Sequence, residues 1–381
     1  MHSPGFLDNK KGLRHDSWNQ DMDKEIRIAI VGVGNCASSL LQGIEYYKHA
    51  QSENSLGLAF PSIAGYLPQH IKVACAFDID ERKVGFPLEQ AVFAKPNCTT
   101  IFWKNLPHYN VTVKMGPVLD SVAPHMSQYP ENETFKLSQT SPADIVQELK
   151  KSRAEILLCY LPVGSEQATQ FYARACLEAG VAMVNCIPVF IASNPEWAER
   201  FRKRGLPIVG DDIKSQFGAT LLHRIITRSM TDKGIKIKRT YQLNTGGNTD
   251  FLNMLEQSRL KSKKKSKTQS VQSQLDIPLE PENIHIGPSD YVPWQKDNKV
   301  CFLRIEAEGF GGIPLNLEAR LSVEDSPNSA GSVIDAIRFA RVALDRGISG
   351  PLLEASAFTM KSPPTQMIDS EAFEAVQEFL K

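Results

Sequence analysis

Five lysines fall within seven positions, Lys261 to Lys267, in the stretch RLKSKKKSKTQ (259–269). A run of this kind is ordinarily a solvated charge cluster or an exposed loop. Its flank is unusual, because NTGGNTDFLNMLE (244–256) stands just before it. There Gly246 and Gly247 give backbone freedom, and Asn248 and Asp250 offer polar contacts. A segment so composed can close over a phosphate, with lysines as point charges and the interleaved serines as donors. Nucleic acid is the weaker reading. No aromatic residue alternates with the lysines, and 43 basic residues balance 43 acidic ones, so there is no basic footprint.

A second cluster is GVGNCA (32–37), of the form G-x-G-x-x-A, comprising Gly32, Gly34, Asn35, Cys36 and Ala37. The first glycine permits a tight turn, the second clears the approach of a pyrophosphate, and the small Ala37 lets helix and strand pack closely. The following helix start offers free backbone N–H groups to phosphates. Asp78 closes the next apolar run, where a carboxylate accepts the hydroxyls of an adenosine ribose, which favours NAD over NADP. It lies beyond the usual spacing because a Pro, Gly and Ser-containing loop, 51–70, is inserted. The alternative is a glycine turn with no ligand.

Other polar islands are less specific. GDDIKSQ (210–216) follows a strand end, where ligands bind in open α/β sheets, making Asp211, Asp212, Lys214 and Ser215 candidates against a simple capping turn. Asp325 and Ser326, in EDSPNSAG, precede a helix and could be N-terminal caps. HIGPSDYVPW (285–294) reads equally as loop or site. Lys361, in MKSPP, reads by itself as a surface lysine. His70, His108, His125, His223 and His285 show no metal-ligand spacing.

These residues need elements to hold them. IRIAIV (26–31) is a short β-branched run suited to a buried strand, followed by the glycine turn and an amphipathic helix, 38–50. Strands at 71–77, 155–161, 181–186 and 206–210 alternate with helices at 142–152, 166–180 and 194–205, which predicts a doubly wound parallel sheet. Beyond a helix at 218–234, the runs 235–244, 300–310 and 315–325 alternate apolar and polar, which predicts an antiparallel sheet with one wet face. A long helix, 329–347, then packs back on the first domain. The expected plan is an α/β Rossmann domain, residues 25–215 plus 326–381, with an inserted antiparallel α+β catalytic and oligomerisation domain, 216–325. Residues 1–24 read as a polar, flexible tail without the apolar core of a signal peptide. Seven cysteines, an odd number with no CxxC pair, suggest reduced thiols in a cytoplasmic protein. No apolar run approaches the ~18 residues of a membrane span.

In the same order along the chain, GVGNCASSLLQGIEYY, YLPVGSE, GDDIKSQFGAT, LNTGGNTDFLNMLE, SKKKSKTQ, IGPSDYVPW, DSPNSAG and MKSPP resemble the inositol-phosphate synthase family, of the shorter bacterial and archaeal type. The likeness runs over about residues 26–370. It implies a Rossmann domain resuming at the C-terminus around an inserted domain, a homotetramer, and bound NAD. It implies conversion of D-glucose 6-phosphate to 1D-myo-inositol 3-phosphate by transient oxidation at the fifth carbon, enolisation, intramolecular aldol closure and re-reduction, for inositol and phospholipid synthesis. The family's active-site lysines fall on Lys263, Lys267, Lys299 and Lys361, and an active-site acid on Asp325. Asp212 and Ser215 match positions near the nicotinamide and substrate, and Asp250 a polar site position. Lys264 is left open, and Lys261 and Lys265 stay solvated. Pro87 departs from relatives that carry an acid there. A divalent metal or monovalent cation is left undecided by the resemblance. The alternative activity is a net NAD-dependent sugar-phosphate dehydrogenase.

Overall fold

The structure, a computed structural model, describes residues 24–49 and 56–381. The tail, apart from Lys24, and residues 51–55 of the insert lie outside the described residues. Two sheets organise the chain. The first has seven strands in the order β11-β6-β5-β4-β1-β2-β3, every neighbouring pair parallel. Its strands are β1 (Ile26–Val31), β2 (Ile71–Asp78), β3 (Lys114–Met115), β4 (Ile156–Cys159), β5 (Ala182–Asn185), β6 (Pro207–Gly210) and β11 (Gly350–Pro351). The central strands are mostly apolar because helices cover both faces. Every residue of β4, β5 and β6 is buried.

From β1 the chain turns to β2 on one side, and later to β4 on the other. The strand order therefore reverses between β1 and β4, where α/β sheets open a crevice at their carboxyl ends. Local signals set the helices around it. Helix α1 (Asn35–His49) buries Leu40, Leu41 and Ile44. Asp144 caps the helix Ile145–Ser152 by accepting from Gln147 N, and Asn194 caps Pro195–Lys203. Gly180, at φ 77°, closes Glu166–Ala179 in the left-handed conformation that glycine adopts without strain.

The second sheet runs β10-β9-β7-β8: β7 (Lys236–Gly246), β8 (Ile284–Tyr291), β9 (Asn298–Glu308) and β10 (Pro314–Glu324). The three alternating runs are antiparallel neighbours, and their apolar face, Ile237, Leu303 and Ile305 among it, meets Ala219 and Met230 of the helix Ala219–Asp232. The fourth strand corrects the expectation of a purely antiparallel sheet. β8 pairs parallel to β7, because two helices intervene and return the chain in the same direction. Gly287 and Pro288 hide its alternation, and it sits at the edge, where proline is tolerated.

The chain re-enters the first sheet through the helix Asp325–Asp345, which starts four residues before the position its sequence suggests. Val333, Ile334, Ile337 and Phe339 share the core of β1 and α1. β11 then adds to β6, followed by helices Leu353–Thr359 and Asp369–Leu380. No helix among the described residues is long and apolar enough to cross a membrane.

Candidate active site

At the reversal point between β1 and β4 lies a cleft enclosing ≈ 1420 Å³, part of it open to solvent. One wall is the glycine turn. Gly32 has φ 91°, and a Cβ there would stand 2.6 Å from the Tyr160 carbonyl oxygen, so only glycine fits. A Cβ on Gly34 would meet nothing within 4 Å, leaving open space above the helix start. Asn35 faces the cleft but spends its amide oxygen on Cys98 N and Thr99 N, at 2.7 and 3.0 Å, holding a neighbouring loop. Ala37 is fully buried against the strand. The Cys36 thiol also lines the cleft, and burial, with Asp297 and Asp325 adding to it, pushes it up to about 12. It stays a neutral thiol. All seven cysteines are unpaired.

Asp78, at the end of β2, ties this wall together. Its carboxylate accepts from Val33 N at 2.7 Å and from Ile79 N and Asp80 N at 2.7 and 2.9 Å. Lys83, 1% exposed, stands 3.9 Å from the same carboxylate and donates to Asn97 Oδ1 at 2.9 Å. Asn97 in turn donates to the Val33 carbonyl. Sequence pattern gives no warning of Lys83, a lone lysine in a turn.

The opposite wall carries four lysines. The lysine-rich stretch is not a loop but a helix, Lys261–Gln272, whose inner face is polar: Ser266, Lys267 and Ser270 are buried with Val271. Lys263 Nζ pairs with Asp250 at 3.1 Å, Lys299 Nζ with Asp325 at 3.0 Å, and Lys361 Nζ with Asp212 at 3.0 Å. Lys267 has neither a hydrogen bond nor an ion pair among the described residues, although it is only 3% exposed. Lys264 donates instead to Gln257, away from the cleft.

Electrostatics separates these amines. Burial drives the Lys267 amine well below its ordinary value, and Lys299, Lys263 and Lys361 push it further. The Lys361 amine is lowered too, by burial that Asp212 only partly opposes. For Lys299 burial acts downward, but the Asp325 pair outweighs it and holds the amine above its usual range. The acids mirror this. Burial would raise Asp212 and Asp325, yet Lys361 and Lys263 hold the first low, and Lys299 the second.

The polar islands divide. Asp212 and Ser215 face the cleft, and Ser266 donates to Asp212 at 2.6 Å. Asp211 and Lys214 do not. Asp211 is fully buried beneath β5 and β6, accepting from Asn185, Ile191, Ala192 and Ser193, while Lys214 turns to Asp369 and the Ala357 carbonyl. Lys361 is no surface lysine, since it also donates to the Ile213 carbonyl at 2.6 Å. Nor is Asp325 a cap: it lies inside the first helical turn, after Glu324, and serves Lys299. Asp297 went unread because nothing in its local pattern marks it. It is 1% exposed, accepts from Asn248 and Ser326, and is raised to about 6 by burial and by Asp325. Among the described residues, no group of three or more His, Cys, Asp or Glu could hold a metal ion.

The chain is similar to known proteins. The family model described as myo-inositol-1-phosphate synthase matches residues 218–326. An inositol-3-phosphate synthase of Mycobacterium tuberculosis is 51% identical over 357 residues, covering 93% of this chain and 96% of that protein. The chain belongs to the inositol-3-phosphate synthase family. A second member, from Corynebacterium glutamicum, is 51% identical over 361 residues, covering 93% of this chain and 98% of its own length. The crystal structure of Ari2 superposes with a TM-score of 0.73 at 34% identity, covering 93% of this chain and 99% of that one. A synthase from Caenorhabditis elegans, at 15% identity and a TM-score of 0.73 over 94% of this chain and 85% of that one, shares the family's fold.

Proposed function

We propose that this chain converts D-glucose 6-phosphate to 1D-myo-inositol 3-phosphate, with NAD bound as a catalyst that is not consumed. One observation carries the reading: four lysines and three partner acids converge on the cleft that the glycine turn opens, leaving Lys267 a buried amine with no direct ion pair or hydrogen bond among the described residues and only Asp212 attracting it from a distance. Such a group is costly unless a ligand answers it. A phosphorylated sugar brings that anion.

The residues fit a dinucleotide. Gly32 and Gly34 keep side chains out of the approach, the first turn of α1 presents N–H groups to a pyrophosphate, and Asp78 has the position that accepts ribose hydroxyls. Asp212, Ser215 and Asp250 flank the space beyond it. When bound, the nicotinamide takes up a hydride from the sugar and returns it, which leaves the reaction redox-neutral. The side chains do the rest. Lys267 and Lys361, both with lowered affinity for protons, suit proton transfer at the alcohol and at the sixth carbon beside a ketone. Lys299, held as an ammonium ion by Asp325, and Lys263, paired with Asp250 at 3.1 Å, suit developing oxyanion and phosphate charge. Different environments thus give the lysines different tasks.

A turnover assay on glucose 6-phosphate with trace NAD⁺ tests this. Inositol phosphate should far exceed the NAD supplied, without net NADH. NADH rising in step with product would make the protein a dehydrogenase instead. The reading extends to a homotetramer. It is supported by β10, an edge strand whose partner β9 leaves Phe302 44% exposed on the sheet's wet face. A single-chain mass on a sizing column would refute that part.

A further inference from the structure

Behind the lysines, on the side away from the cleft, sits Arg224. Its side chain is 0% exposed, and with Arg338 it is one of the two largest fully buried side chains among the described residues. A guanidinium carries five N–H donors in a fixed fork, and here the fork bridges two separate segments. Nη1 donates to the Ser270 carbonyl at 2.6 Å, on the helix that bears Lys263 and Lys267. Nη2 donates to the Met367 carbonyl at 2.7 Å, and Nε to Asp369 at 2.8 Å, both on the segment that follows Lys361. The remaining link runs through Gln366, whose oxygen lies 3.4 Å from Nη1 and whose amide donates to the Lys361 carbonyl at 2.8 Å. Asp369 gives its other oxygen to Lys214, in the loop carrying Asp212 and Ser215, at 3.1 Å.

From this geometry we infer that Arg224 is a positioning residue. It locks the lysine-bearing helix to the Lys361 loop, and so fixes the separation of Lys267 from Lys361. The inference rests on the proposed synthase reading and deepens it. The other direct link between these two segments is long, Ser273 Oγ to Gln366 Oε1 at 3.5 Å. Ser266 reaches Asp212 from the same helix, and Lys361 reaches Asp212 from the loop, but both contacts pass through a residue that itself faces the ligand. Arg224 touches no cleft atom, so its contribution to turnover is geometric. Lysine cannot replace it, because one ammonium cannot span Ser270, Met367 and Asp369 together.

The test compares the full-length wild-type enzyme with Arg224→Lys and with the milder Gln366→Leu, which cuts the link through Gln366 to Lys361 and leaves the bonds of Arg224 to Ser270, Met367 and Asp369. For Arg224→Lys, kcat on glucose 6-phosphate should fall on the order of ten- to a hundredfold, while the Kd for NAD stays within about twofold. The two substitutions combined should cost less than the product of their separate effects, since they break one chain of contacts. A turnover-free readout accompanies this: slow labelling of lysines by an amine-reactive reagent, followed by mass spectrometry. In Arg224→Lys, labelling of Lys267 and Lys361 should quicken at least about threefold, with exposed Lys203 unchanged. An unchanged kcat with unchanged labelling, or a lowered Tm alone, would make Arg224 a fold staple only and overturn the inference. If the wild type fails to turn over glucose 6-phosphate, the synthase reading falls. The labelling ratio then still decides whether Arg224 sets the lysine geometry.

Discussion

Lys267→Met offers an unusual pairing of outcomes, a more stable protein that has lost its activity. The two side chains are close in length and volume, so the swap leaves little cavity. In the native fold Lys267 is 3% exposed, has no hydrogen bond or ion pair among the described residues, and feels Lys299, Lys263 and Lys361, which Asp212 offsets only in part. Burial first, and those ammonium groups second, depress its proton affinity. The folded amine therefore titrates below the unfolded one. At pH values under the folded pKa, the native state must hold a charge the unfolded state carries more easily, and the full penalty applies. As pH rises toward the ordinary lysine value of about 10.4, the penalty fades. Each pH unit of displacement costs the fold about 1.4 kcal/mol. A chain of 381 residues unfolds with an entropy of about 0.8 kcal/mol/K, so each such unit is worth about 2 °C in Tm. Thermal scans of the ligand-free protein at pH 6, 7.5 and 9 should show Lys267→Met melting above wild type, with a gap that narrows as pH rises. Inorganic phosphate should raise the wild-type Tm and leave the variant's nearly unmoved. Turnover should fall by about 10²–10⁴. A variant less stable than wild type at pH 6, or a gap that widens with pH, would refute the idea that this lysine is an unanswered buried charge.

Three further outcomes follow from the same geometry. Lys361→Ala strips Asp212 of its ion pair inside the protein and should cost about 3–5 kcal/mol in denaturant titrations, in contrast to Lys267→Met, while abolishing turnover and leaving NAD bound. Gly32→Ala puts a Cβ 2.6 Å from the Tyr160 oxygen at φ 91°, so it should lose about 1–3 kcal/mol of stability and bind NAD detectably worse by fluorescence titration. Asp78→Ala removes the acceptor of three backbone N–H groups as well as the proposed ribose contact. Its NAD Kd should rise by about tenfold or more, and an unchanged Kd would take Asp78 out of the cofactor site.

Much of the frame can be read along the chain. IRIAIV, the glycine turn and the helix after it announce themselves because a buried parallel strand and an amphipathic helix each impose a local period. The lysine-rich helix was hidden for the same reason. Its buried face is built from Ser266, Lys267 and Ser270 rather than apolar residues, so no hydrophobic stripe betrays it. It is held by partners far away: Ser266 by Asp212, Ser270 by Arg224. β8 was hidden because Gly287 and Pro288 interrupt its alternation.

The succession of strands and helices, the glycine turn with its acid at Asp78 and, through long irregular motifs, the family are all legible along the linear chain. These are matters of local order, and local order is what a linear chain records. Only the tertiary structure decided which acid serves which amine. Lys361 meets Asp212 across 149 positions, and Lys299 meets Asp325 across 26, so no spacing rule could pair them. It also decided that Asp211 is buried scaffold while Asp212, one residue later, faces the cleft, and that Lys267 alone among the four lysines lacks a direct partner among the described residues. Charge state depends on burial and on the distance to other charges, and both exist only once the chain has folded.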